Sequence, residues 1–406
     1  MTFTRPETAA RVPWDSPTVR IVLASTLLAP LGVPLVAPAL PVIRDAFAVS
    51  DAQASLVVSA YFLVGILLSP FIGMVADRVG RRRVLVVSLL GFGLAGVAIA
   101  FAPDFATVVA IRVVQGTAAA GIFVATVTVI GDAFEGVQRN AVLGVNVAVL
   151  STGAAVFPIV GGALVAVSWN APFLLYVAAL PLGLVALRYL DEPDHGDTER
   201  GFAYLRGAAR AIASREAGVY YGAAFLCELL LFGAIVTALP FVLTGDYGLS
   251  PLVVGLVVAA TEAGSVVVST QNGRLARHVS NPGLVAAGFA CFGLALLVLW
   301  AAPSAWVLAL GAVVFGAGLG LSMPSVDAGV SALVPAEFRA GALSLRNSTT
   351  FLGRATGPVL FAGVATVTGY DPLLVGGAAV ALVAALLAAV VTGRRLRPQR
   401  VVEKPA

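Results

Sequence analysis

The feature that most constrains this chain is the length of its uncharged stretches. Val84–Ala102, Gly283–Ala302 and Leu373–Thr392 each run for about 20 residues without a charge, enough for a helix rising about 1.5 Å per residue to cross ~30 Å of hydrocarbon. One such stretch can anchor a soluble domain; a series of them makes a polytopic membrane protein. Composition agrees. Of 406 residues, 11% are charged and 59% hydrophobic, where soluble domains carry roughly 25% charge. A soluble fold of this size lacks the charge to cover its surface.

The net charge of +4 does not indicate nucleic acid as a partner, because the basic residues sit in short loops between apolar runs rather than along one face. Cys227 and Cys291 fall inside apolar stretches and read as free thiols. His195 and His278 are isolated in loops, so no metal site and no cofactor is expected. Gly91, Gly93 and Gly96 spell a dinucleotide-binding pattern, but no strand precedes them. The first 20 residues mix Arg5, Glu7, Arg11, Asp15 and Arg20 with no small-residue cleavage site and read as a tail, not a removable signal.

Charge and Pro/Gly clusters divide the chain into twelve expected spans, at 20–43, 52–76, 84–102, 105–131, 139–167, 171–190, 218–244, 252–276, 283–302, 304–334, 340–368 and 371–393. The fold class expected is an all-α membrane protein of two pseudo-symmetric six-helix bundles. Residues 1–190 form the first, 191–217 a linker, 218–393 the second and 394–406 a tail. If the termini are cytoplasmic, the inner loops hold Arg78, Arg81, Arg82, Arg83, Arg139, Arg188, Arg274, Arg277 and Arg339, against Arg44 alone outside. That asymmetry follows the positive-inside rule and predicts a multi-pass protein of the cell (plasma or inner) membrane, surrounded by lipid, with both termini cytoplasmic. Phe202–Arg215 has the pattern of a short amphipathic surface helix, although a solvated linker is the simpler reading.

The halves superimpose at an offset of 200: Gly73 on Gly273, Gly116 on Gly316, Arg139 on Arg339, Leu143 on Leu343, Gly153 on Gly353 and Pro158 on Pro358. A constant offset across separate loops and helices marks an internal duplication, as two bundles around one central pathway require.

The loop after span two reads Gly73-Met-Val-Ala-Asp77-Arg78-Val-Gly80-Arg81-Arg82-Arg83. Together with the repeat, it resembles the major facilitator superfamily, whose G-x-L-x-D-R-x-G-R-[RK] signature it matches except at Val75. Resemblance implies that Gly73, Asp77, Arg78, Gly80, Arg81 and Arg82 form a cytoplasmic gate holding the outward-facing state. Span four carries Arg112-Val-Val-Gln115-Gly116, similar to the family's R-x-x-Q-G motif, whose arginine is implicated in proton coupling. Span five carries Gly153, Pro158, Gly161 and Gly162, resembling the helix-packing motif of exporters with Phe157 in place of a glycine. Span eleven keeps Gly357-Pro358. Such small residues permit close helix contact. Pro38-Ala-Leu-Pro41 resembles the start of the twelve-helix drug/proton antiporters, but no acidic residue lies between Ile21 and Ile43.

Ionisable residues inside a membrane are functional candidates. Glu228 lies about ten residues into span seven, Glu262 similarly far into span eight, and Arg354 about fourteen into span eleven, each near the midplane by helix rise. Asn347, Thr350 and Arg354 share one helical face with Arg346. Asp327, near the inner end of span ten, reads as gate or cap. A carboxyl group in a partly dry cavity can take and release protons. Glu262 or Glu228 is therefore the expected proton carrier, with Arg112 and Arg354 modulating it or contacting substrate, and Gln115 and Asn146 adding polarity. The competing expectation is a permanent salt bridge from Arg354 to one of the glutamates.

The function expected is proton-coupled efflux of hydrophobic or amphipathic small molecules by alternating access, in a monomer, with sodium as the other coupling ion. A transporter of small organic anions is the alternative, with Arg354 and Arg112 as anchors, and a non-transporting membrane sensor is the alternative of another class. No catalytic grouping or phosphate-binding loop is visible, so no enzyme activity is expected.

Overall fold

The computed structural model describes residues 12–192 and 202–395. The first half holds α1 (Pro17–Phe47), α2 (Asp51–Val79), α3 (Arg81–Ile99), α4 (Phe105–Ala133), α5 (Gly136–Val165) and α6 (Ala171–Tyr189). A linker helix α7 (Phe202–Ala211) follows. The second half holds α8 (Arg215–Gly245), α9 (Pro251–Leu275), α10 (Asn281–Trp300), α11 (Ala305–Ala332), α12 (Arg339–Thr368) and α13 (Asp371–Arg395). Among the described residues eleven of these are long and apolar enough to cross a membrane, and α2 is 29 residues long.

Local chemistry explains the ends. α2 starts on a capping box, the Gln53 N–H donating to Ser50 Oγ and the Ser50 N–H to Gln53 Oε1. Asp104 Oδ1 caps α4 by accepting from the Thr107 N–H at 2.8 Å. The helices α2 and α3 are joined at Gly80, whose φ of 100° only glycine adopts freely.

The first span is not one continuous helix. Pro30, Pro34 and Pro38 lack the N–H a helix needs, and short 3₁₀ turns stand at Ala29–Gly32 and Ala37–Ala39. The Val36 N–H turns to the Val33 carbonyl, leaving the carbonyls of Leu31 and Gly32 to other donors. The seventh span also departs from a plain helix, with a π-wound stretch at Leu231–Ala238. Neither irregularity was expected from hydropathy.

The duplication is physical. In the first half α3 packs on α4, α2 on α4 and α3 on α6; in the second, α10 packs on α11, α9 on α11 and α10 on α13. A Cβ on Gly116 would overlap the Tyr61 carbonyl, and one on Gly316 would overlap the Thr261 carbonyl. These are the same close approach, 200 residues apart. Between halves, α2 runs along α12 and α5 along α9.

The linker helix is docked, which corrects the purely solvated reading. The Tyr204 hydroxyl donates to the Glu337 carbonyl and accepts from the Gly341 N–H, and Gly207 lies against Phe338. Residues 193–201 of the linker, with His195, lie outside the described residues.

Candidate functional site

A cavity of about 430 Å³ lies between the halves, lined by residues of α1, α2, α4, α5, α8, α9, α11 and α12. This falls within the roughly 300–1,000 Å³ of small-molecule sites. Glu228, Glu262, Arg346, Asn347, Thr350 and Arg354 line it.

Glu228 and Arg354 are locked together. Arg354 Nε donates to Glu228 Oε2 and Nη2 to Oε1, both at 2.9 Å, a bidentate geometry that holds a guanidinium and a carboxylate firmly. Two glycines make this reach possible: a Cβ on Gly353 would crowd the Phe225 carbonyl and Glu228, and one on Gly357 the Leu229 carbonyl. The Arg354 guanidinium also sits 5.4–5.6 Å from the ring centres of Phe62, Phe232 and Phe351. Phe62 belongs to the first half, so the pair is roofed from across the cavity.

Glu262 is different. It faces the cavity and makes no hydrogen bond or ion pair among the described residues. Arg346 pairs with Asp327 and donates to Asn347 Oδ1, and Thr350 Oγ1 donates to the Asn347 carbonyl. The polar stripe of α12 thus lines the cavity.

Three expectations need correcting. Arg112 and Gln115 are fully buried and do not line the cavity. Arg112 donates to the carbonyls of Val57 and Gly32 and to Gln115 Oε1, and lies 4.5 Å from the Tyr61 ring centre. The carbonyl set free by the broken first span thus solvates this arginine, and Tyr61 closes it off. Asn146 is also buried, accepting from Thr26 Oγ1 at 2.6 Å. All three are internal joints of the first half.

The loop expected as a gate binds within its own half. The N–H groups of Arg81 and Arg82, at the positive N-terminus of α3, donate to the Glu192 carboxylate. Arg81 Nε donates to Asp132 Oδ2 at 2.8 Å, and Arg82 Nη2 to the Leu187 carbonyl. Arg78 is exposed. The surroundings of Gly73 and Asp77 lie outside the described residues.

On the side opposite the termini, the halves meet tightly. A Cβ on Gly162 would overlap the Pro251 carbonyl, and one on Gly255 the Pro158 carbonyl, a reciprocal pair across α5 and α9. Gly161 meets the Leu35 carbonyl and Gly153 packs on Pro30 within the first half. Four side chains close a ring: Tyr370 donates to Asp51 Oδ2 at 2.9 Å, Arg44 Nη1 to Asp51 Oδ1 at 3.0 Å, Arg44 lies 5.6 Å from the Phe241 ring centre, and Phe241 stacks on Tyr370. Two of these contacts join the halves. The cavity begins beneath this seal and runs toward the side of the termini, where Arg346 and Asn347 line it.

Sequence reasoning missed Phe62, Tyr61 and the Asp51–Tyr370 contact. The offset of 200 held one signal, because Phe62 is the counterpart of Glu262.

A duplicated bundle pair around a central cavity with charges at its middle is the architecture of a membrane transporter. The chain belongs to the Major Facilitator Superfamily, whose family model matches residues 22–220 and 221–406. It is 27% identical over 353 residues to the bacillibactin exporter of Bacillus subtilis (strain 168), covering 83% of this chain and 87% of that one. It is 27% identical over 364 residues to the class C tetracycline resistance protein of Escherichia coli, covering 85% and 88%. The fold matches a bacterial homolog of the human lysosomal transporter Spinster in an inward-facing, occupied conformation, with a TM-score of 0.75 at 17% identity, covering 95% of this chain and 98% of that one.

Proposed function

We propose that this transporter exports hydrophobic or amphipathic small molecules in exchange for protons, with Glu262 as the proton carrier. The observation that carries the reading is the contrast between the two glutamates. Glu228 is held bidentately by Arg354, whereas Glu262 faces the same cavity with no hydrogen-bond or ion-pair partner among the described residues. An exchangeable proton needs a carboxyl group that is not locked in a salt bridge. The bacillibactin exporter among its relatives supports the direction.

With the termini cytoplasmic, as the arginine distribution indicates, the closed seal lies outside and the cavity faces inward. The two halves, residues 1–190 and 218–393, then rock about the midplane, in a monomer. The organic-anion alternative is less well supported: Arg354 is matched by Glu228 and Arg112 is walled off by Tyr61.

The test uses proteoliposomes with a pH-sensitive dye inside and an imposed proton gradient. Hydrophobic and amphipathic compounds added to the wild type are expected to trigger proton flux, and Glu262→Gln is expected to lose it. Wild-type flux that survives in Glu262→Gln overturns the assignment.

A further inference from the structure

The two walls of the cavity are counterparts that have diverged in polarity. At the offset of 200, Phe62 corresponds to Glu262, Leu150 to Thr350 and Ala154 to Arg354, and all six line the cavity. Each position is apolar in the first half and polar or charged in the second. Among the described residues, every charged side chain on the lining belongs to the second half. A ligand spanning the cavity therefore meets an apolar wall on one side and a charged wall on the other.

The charges do not cancel. Arg354 is matched by Glu228 and Arg346 by Asp327, which leaves Glu262 as the cavity's unmatched charge. Arg112, which has no carboxylate partner among the described residues, is satisfied by two carbonyls and Gln115 behind the Tyr61 ring and does not line the cavity. A buried charge is stable only when paired, so ionised Glu262 beside an apolar wall calls for a cation with an apolar body. An anion of the same shape would meet Glu262 with no unpaired positive group on the lining among the described residues to hold it.

We infer that the cavity selects an organic monocation with a bulky apolar body, its charge placed on Glu262 and its body against the first-half wall. This rests on the transport reading only for its consequence; binding is measured separately, so the two can fail independently.

The probes are tetraphenylphosphonium and tetraphenylborate, ions of nearly equal size and opposite permanent charge. Binding of each to the purified full-length protein is measured in detergent and corrected for partition into protein-free micelles. The cation is expected to bind at least about tenfold more tightly than the anion, the equivalent of ~1.4 kcal/mol. Glu262→Gln should abolish that preference and Glu262→Asp should keep it, with both variants retaining the wild-type elution profile and thermal transition. Tighter binding of the borate, or phosphonium binding unchanged in Glu262→Gln, overturns the inference. If Glu262→Gln does not fold, Glu262→Asp together with the wild-type ion preference decides. A preserved cation preference without proton flux in liposomes would sink the coupling reading alone; proton flux without the preference would sink this inference alone.

Discussion

The seal opposite the termini can be opened by removing a single oxygen. In Tyr370→Phe the ring still stacks on Phe241, but the 2.9 Å hydrogen bond to Asp51 across the halves is lost. A hydrogen bond to a charged group contributes roughly 1.5–3 kcal/mol when buried, and less where water competes. The Asp51 side chain is 24% exposed, so about 1 kcal/mol is the reasonable figure. When that side opens, both groups gain water instead, so the loss falls on the closed state. The ratio of open to closed should rise about fivefold. A cysteine at Ala37 reports this opening, because Ala37 is fully buried in the turn Ala37–Ala39, which packs on α9 of the other half. With Cys227 and Cys291 replaced by alanine, Ala37→Cys should react with a polar maleimide about five times faster in the Tyr370→Phe background. An unchanged rate, in a protein with an unchanged thermal transition, would refute the role given to the ring.

Other outcomes follow from the same geometry. Arg354→Ala strands the Glu228 carboxylate, whose side chain is 3% exposed, and should cost about 3 kcal/mol by thermal unfolding in detergent; adding Glu228→Gln should recover much of it. Gly162→Ala or Gly255→Ala would drive a Cβ into a proline carbonyl of the facing helix and should raise the Ala37→Cys labelling rate without abolishing folding. Asn146→Ala should lower stability by about 1 kcal/mol through loss of the Thr26 bond, yet leave tetraphenylphosphonium affinity unchanged in a binding titration.

The spans could be read from the chain because the bilayer imposes their length and excludes charge from them. Ends fell where Pro, Gly and capping residues stand, as at Ser50 and Asp104. The duplication was equally plain, since equivalent glycines serve equivalent contacts at Gly116 and Gly316. Glu228, Glu262 and Arg354 were singled out by their place inside apolar spans, and all three line the same cavity. What a linear pattern could not convey was direction around the helix axis. Spans apolar on every face carry no stripe to show which side meets the cavity, so Arg112, Gln115 and Asn146 could not be told from cavity residues.

Sequence by itself therefore determined the membrane class, the two bundles and the set of polar groups within the spans, because these depend on length, spacing and repetition. Tertiary structure decided which of those groups meet. The glycines that bring α12 against α8 join Arg354 to Glu228, the broken first span supplies the carbonyl that holds Arg112, and Glu262 is left facing the cavity. Pairing depends on helix rotation and on approach distances of a few ångströms, set by contacts between residues far apart in the chain.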